Sequence, residues 1–159
     1  MPPASISFRF SQRFKSPARE VYDWATDYDP QDIVRMGHSG KRKIARVCNE
    51  TLILTDTYHY EDGTKVSKKK LIRLDPAGLR WTNTHLTGPN QHSQFLYELI
   101  PEGETACRLD FTGMQILELE DASKREVAER ARQLKREDST SWKNLARAFA
   151  SERKQASGR

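Results

Sequence analysis

Asp56 is the residue in this sequence best placed to do chemistry. It lies in the alternating run from Thr51 to His59, where every second residue shares a face. Pairing the neighbouring runs symmetrically about the turn signals Asn49-Glu50 and Asp62-Gly63 sets Asp56 opposite Lys43 on one side and Lys69 on the other. A carboxylate in that position can orient a ligand hydroxyl or act as a base, and Asp56, or a Tyr beside it, is the candidate for moving a proton. The alternative is an ion pair at an open rim, of little consequence. Tyr58 and Tyr97 offer phenols to a polar ligand atom, or fill core with their hydroxyls reaching the surface. Asp138 falls on the apolar stripe of a helical segment one turn before Trp142. It is either a costly buried carboxylate or a cap for a second helical piece beginning at Ser139. His85 and His92 face each other across a hairpin, but no third ligand completes a zinc site, so no metal is expected.

These side chains need elements to carry them. Ile6 to Ser11 alternates apolar and polar, as a half-buried strand does. Ser16-Pro17-Ala18 opens a short helix with Val21, Tyr22 and Ala25 at helical spacing. Asp29-Pro30 opens a second, which Gly37 ends after Met36. Turn signals then recur at Asn49-Glu50, Asp62-Gly63, Asp75 to Gly78, Gly88-Pro89 and Glu102 to Glu104, which predicts a meander of about six strands from Lys41 to Leu117. From Asp121 to about Lys154 there is no Gly or Pro, and Val127, Ala131, Leu134, Trp142, Leu145 and Phe149 fall near one stripe. That is one long helix, which the weak helix formers Asp138 to Ser141 are expected to kink or split. Residues 155–159 read as a frayed tail to a single domain covering 1–159.

Carried through all five turns, symmetric pairing puts Val47, Leu52, Leu54, Leu71, Phe95, Tyr97, Leu99, Leu109 and Phe111 on one face, with Lys43, Asp56, Tyr58, Lys69 and Thr84 as its polar members. The other face holds Thr55, Thr57, His59, Lys68, Lys70, Asn83, His85, His92, Gln94, Arg108 and Asp110, with an apolar patch of Ile72, Trp81 and Leu96. A sheet wet on one face must bury the other, and the long helix is the amphipathic element available to cover it. The architecture expected is therefore α+β.

Composition narrows the partners. The net charge of +5 comes from 27 Lys and Arg against 22 Asp and Glu spread along the chain, which does not single out nucleic acid. The basic runs Lys41 to Lys43 and Lys68 to Lys70 are split between faces by strand alternation, and no nucleic-acid partner is expected. Cys48 and Cys107 make no CxxC and read as free thiols of a reducing compartment. No stretch is long and apolar enough for a membrane span, and Met1 to Ser5 lacks the order of a signal peptide, so a cytoplasmic location is expected. With no Gly-rich phosphate loop, nucleophile elbow or HExxH, no cofactor is expected, and hydrolytic chemistry is disfavoured.

The order strand, two short helices, six long strands and long helix resembles the START and Bet v 1-related superfamily, which includes polyketide cyclase/dehydrase-like and coenzyme-Q-binding proteins. The residues carrying the likeness are Phe8-Arg9-Phe10 running into Ser16-Pro17-Ala18-Arg19-Glu20-Val21-Tyr22-Asp23-Trp24, then Asp27. The resemblance implies a helix-grip fold: a curved antiparallel sheet of about seven strands closed around the C-terminal helix. It also implies a cavity for lipids, isoprenoids, sterols or polyketides, and no fixed catalytic residues. The lining expected here is Phe8, Phe10, Leu54, Phe95, Tyr97, Phe111, Trp142, Leu145 and Phe149, with Asp56, Tyr58 or Lys69 orienting the ligand's polar end. Three functions fit: a carrier or sensor of a hydrophobic or amphipathic small molecule, a cyclase or dehydratase using the same cavity, or an interaction module using the Ile72, Trp81 and Leu96 patch.

Overall fold

The structure is a computed structural model that describes residues 3–158. The elements run β1 (Pro3–Phe14), α1 (Ala18–Ala25), α2 (Asp32–Arg35), β2 (Gly40–Cys48), β3 (Thr51–His59), β4 (Lys65–Asp75), β5 (Arg80–His85), β6 (Gln94–Pro101), β7 (Cys107–Glu118) and α3 (Lys124–Ser157). The seven strands form one antiparallel sheet in the order β1-β7-β6-β5-β4-β3-β2. Thus β2 to β7 are a meander of hairpins, and β1 closes onto β7.

The sheet's inner face packs on α3. Phe14 of β1 and Trp24 of α1 both meet Phe149 edge-on, at 5.9 and 5.3 Å. The helix begins at Ser123, whose hydroxyl accepts from the Glu126 backbone N–H, the Ser-x-x-Glu arrangement that satisfies an orphan donor of the first turn. It then runs unbroken for 34 residues. The expected break at Asp138 to Ser141 is absent, and the helix continues through Ser157. Leu134, Leu145 and Phe149 are buried on either side of the weak helix formers, and that packing overrides local propensity.

Strand faces differ from symmetric pairing in β2, β4 and β5. The β3–β4 loop has three residues, Glu61 to Gly63, with Gly63 at φ +86° and the Tyr60 N–H donating to the Thr64 carbonyl. An odd loop pairs Leu54 with Lys70 rather than Leu71, so Lys68, Lys70 and Ile72 turn inward while Lys69 and Leu71 turn outward. Lys69 is exposed and is not part of the site. The β4–β5 register carries the inversion on: Trp81, Asn83 and His85 are buried, and Thr84 faces out. A second shift at the β5–β6 loop, where Thr84 pairs Gln94, cancels the first, so Phe95, Tyr97, Leu109 and Phe111 point inward as expected. In β2 a bulge between Arg46 and Cys48 rotates the strand, putting Arg42 rather than Lys43 beside Asp56 and leaving Val47 62% exposed. The expected outer patch does not exist: Trp81 and Ile72 are core. The expected outer histidine pair does not exist either, since His85 is buried while His92 is exposed in the loop. Among the described residues no group of three or more His, Cys, Asp or Glu side chains converges as a metal site, and no helix is long and apolar enough to cross a membrane.

Candidate functional site

Between the inner face and α3 lies a cavity of about 340 Å³. One wall is aromatic. Trp81 stacks on Tyr97 with ring centroids 4.8 Å apart and planes 5° from parallel, and Trp142 of α3 leans on both, at 6.3 and 5.7 Å. Phe111 meets Tyr97 edge-on at 5.2 Å and lies 5.7 Å from Phe95. All three tryptophans of the chain, Trp24, Trp81 and Trp142, line the space. The mouth is marked by His38, Tyr60 and Glu137, which line the cavity and are also exposed.

Another part of the lining is charged. Asp56 has no exposed surface and accepts two hydrogen bonds from the Arg42 guanidinium, at 2.7 and 2.8 Å, and one from Lys70 Nζ at 2.9 Å. Lys70 also donates to the Tyr58 hydroxyl at 2.7 Å. Burial alone would push the Asp56 carboxyl up, but the hydrogen bonds and charges of Arg42 and Lys70 hold it down at about 2. A carboxylate so firmly ionised is a poor general base. It neutralises two cations, Arg42 and Lys70, that both reach the cavity lining. The Lys68 ammonium lies over the Tyr58 ring, 5.7 Å from its centroid, and burial and the adjacent Lys70 charge lower its pKa.

Asp138 is a second carboxyl group that the cavity perturbs. It faces the cavity from the middle of α3, where burial, reinforced by Glu137 and opposed by Lys70 and Lys68, raises its carboxyl to about 7. Its folded pKa lies above the ordinary 3.8, so the native state holds the proton more tightly than the unfolded chain. Stability from this group is therefore complete below about pH 4 and is lost as pH rises through about 7. Asp138→Asn should leave stability nearly unchanged at pH 4 and raise it by about 2 kcal/mol at pH 8, a figure discounted for partial solvent access. Urea melts at the two pH values check this; an equal effect at both would refute a neutral buried carboxyl.

A cluster of polar contacts ties α2 to α3. Arg35 reaches Asp32 at 2.8 Å and Glu152 at 2.6 Å, and Glu152 also accepts from the Trp24 indole at 2.8 Å. Burial lifts Asp32, which lines the cavity, to about 6 against the pull of Arg35. Tyr28 enters the lining at a φ of +52°, a backbone state uncommon for an aromatic residue, and lies under the Arg42 guanidinium 5.4 Å away.

Of the residues expected at the site, Tyr58, Phe95, Tyr97, Phe111, Trp142 and Leu145 line the cavity. Phe8, Leu54, Asp56 and Phe149 are buried behind its walls. Phe10 is half-buried, stacked on Phe111 at 4.5 Å, and borders a separate shallow depression with Arg9 and Arg108. Sequence reasoning missed Arg42, Lys68, Lys70, Trp81, Asn83 and His85 because it had their strands turned over. The signal was there: on β4 the alternation Val66, Ile72, Leu74 is more apolar than Lys65, Ser67, Arg73.

No family model and no curated protein matches the sequence. Solved structures do. The aromatase/cyclase Zhui from Streptomyces sp. R1128 superposes with a TM-score of 0.78 over 98% of this chain and 99% of that one, at 14% identity. The Bet v 1-type allergen Ara h 8.0201 gives 0.71 over 93% and 99%, at 15% identity. The chain has the helix-grip fold of the START and Bet v 1-like proteins. A START superfamily protein from Mycobacterium smegmatis is a further neighbour, at 0.66 over 95% and 99% with 12% identity. At these identities the helix-grip likeness concerns shape, and the cavity's chemistry is this chain's own.

Proposed function

We propose that the cavity binds one compact amphipathic molecule with a ring-shaped apolar body and an oxygen-bearing polar edge, closer to a polyketide-like aromatic than to a long-chain lipid. The observation that carries this reading is the mixed lining: stacked Trp81, Tyr97 and Trp142 together with Lys68, Lys70 and Tyr58, about a space of about 340 Å³. That volume is at the small end for ligand pockets and suits two or three fused rings. Flat rings match the aromatic wall, and the lysines suit an acidic or anionic oxygen. The helix-grip neighbour described as an aromatase/cyclase supports the choice of ring chemistry.

One observation favours a second reading, in which the bound molecule is also turned over. Asp138, with its carboxyl near 7, faces the same space as Lys68 and is suited to proton transfer at neutral pH. In a cyclase or dehydratase it would take the part first considered for Asp56. Asp138→Asn would then abolish turnover and leave ligand affinity intact, whereas a carrier returns its ligand chemically unchanged with or without Asp138.

Anilinonaphthalene sulfonate is a direct probe, because its rings suit the aromatic wall and its sulfonate the lysines. Energy transfer from tryptophan should report saturable binding of one probe per chain. Weak, non-saturating fluorescence would refute a formed cavity site.

A further inference from the structure

We infer that Lys68 is an amine nucleophile toward an aromatic aldehyde or ketone held in the cavity, forming an imine with it, and that Asp138 moves the protons of that step. This rests on the cavity being a ligand site and adds a class of ligand and a covalent step.

Geometry separates the two cavity lysines. Lys68 and Lys70 occupy successive inward positions of β4, about 6–7 Å apart along the strand. Both ammoniums lie over the Tyr58 ring, 5.7 and 5.2 Å from its centroid. Lys70 is fully engaged, donating to Asp56 at 2.9 Å and to the Tyr58 hydroxyl at 2.7 Å. Lys68 Nζ makes no hydrogen bond or ion pair among the described residues, and it is not one of the polar atoms sealed from contact. Its stem packs against the β5–β6 loop, where a Cβ added at Gly88 would stand 3.0 Å from Lys68 Cγ. The side chain is thus half-buried and lines the cavity with its amine unengaged.

Electrostatics favours the free amine. A lysine drawn out of water beside a fixed cation gives up its proton more readily than an exposed one. Burial and then the Lys70 charge lower the Lys68 pKa, against smaller pulls from Asp138 and Asp56. Asp56 is already held by Arg42 and Lys70. From the neighbouring elements, Tyr58 of β3, His85 of β5, His38 ahead of β2 and Glu137 of α3 also line the cavity. Both histidines are held toward their neutral forms, and Glu137 is exposed. The charges of Lys68 and Asp138 act on each other, and an Asp138 carboxyl near 7 is present in both protonation states at neutral pH.

The step needs no further reactant. The Lys68 Nζ lone pair attacks the carbonyl carbon, and the carbonyl π pair moves to oxygen, which takes a proton from Asp138. Asp138 then accepts a proton from Nζ, leaving a carbinolamine. The carbinolamine hydroxyl departs as water with that proton, while the nitrogen lone pair forms the C=N bond. Loss of the remaining N–H proton to Asp138 gives the imine and restores the carboxyl. Amine and carbonyl become imine and water, with no change of oxidation state.

The test treats the full chain with naphthaldehyde and cyanoborohydride, which reduces the iminium to a stable amine, and maps the adducts by mass spectrometry. Anilinonaphthalene sulfonate is the independent monitor of the cavity. At about pH 7, Lys68 should be labelled at least about tenfold faster than Lys69, its exposed neighbour on β4. Excess sulfonate probe should slow labelling of Lys68 and not of Lys69. Lys68→Arg keeps the charge without the nucleophile, and should abolish the fast adduct while retaining the probe. Asp138→Asn should slow the adduct at Lys68. Because losing that carboxylate also frees the amine, a faster adduct would remove Asp138 from the step. Equal labelling of Lys68 and Lys69 in a chain that binds the probe would overturn the amine site and leave the cavity reading standing. A chain that neither binds the probe nor labels Lys68 ahead of Lys69 would overturn both. The comparison of the two lysines stands on the unmodified chain even if a variant does not fold.

Discussion

Replacing Asp56 with alanine should destabilise the fold by about 3–5 kcal/mol, because it leaves the buried Arg42 guanidinium and Lys70 ammonium without a carboxylate. The Arg42 and Lys70 side chains are only 4 and 10% exposed, and Asp56 is not exposed at all. Arg42 and Lys70 line the cavity, but water there replaces only part of what a fully buried carboxylate with three hydrogen bonds supplies. For a chain of this size the loss corresponds to roughly 10 °C or more in Tm. Removing all three charges together, as Arg42→Leu, Asp56→Leu and Lys70→Met, should cost less than Asp56→Ala alone, since the penalty lies in the uncompensated charge. The same carboxylate makes the fold sensitive to acid. Its folded pKa, about 2, is below the ordinary 3.8, so its contribution is present above about pH 4 and lost as pH falls through about 2. Denaturant melts of the single and triple variants at neutral pH check the first point. An Asp56→Ala variant as stable as the unmodified chain would show that the cluster is solvated.

Trp81→Ala should cost a similar amount, about 3–5 kcal/mol. Trp81 is 2% exposed, stacked flat on Tyr97 and met edge-on by Tyr22 at 5.5 Å. Truncation removes those contacts and merges the space left behind with the cavity. The prediction also tests the strand register. An outward Trp81, as symmetric hairpins would have it, could be truncated within about 0.5 kcal/mol. Thermal and chemical unfolding separate the two outcomes clearly.

That contrast shows what could be read in the sequence and what could not. Element order, the six-strand meander, and the α3 stripe through Leu134, Leu145 and Phe149 follow from hydrophobic period and turn signals, because those depend on many residues at once. The faces of β3, β6 and β7 also came through. Faces of β2, β4 and β5 depend on whether a single loop or strand holds one residue more, and a step of one residue inverts a whole strand. Gly63 was the available clue, since a glycine at positive φ closes a three-residue loop with a bulge. The value of Asp56 was legible, but its partners were not: Arg42 and Lys70 replace Lys43 and Lys69, and with them the carboxylate becomes a fixed structural charge. Asp138 was legible as an anomaly on an apolar stripe. Whether it would break the helix or sit buried depended on the packing of Trp142, Leu145 and Phe149 around it, which no local propensity encodes.

The charged and aromatic parts of the lining together support the proposal that the space under α3 is a ligand site. The three tryptophans report on it directly, because Trp24, Trp81 and Trp142 all line it and no tryptophan lies elsewhere. In a nitrogen-15 labelled sample, the three indole N–H signals should shift together and saturate at one equivalent of anilinonaphthalene sulfonate. Indole signals that stay fixed while the probe binds elsewhere, or that drift without saturation, would contradict the account.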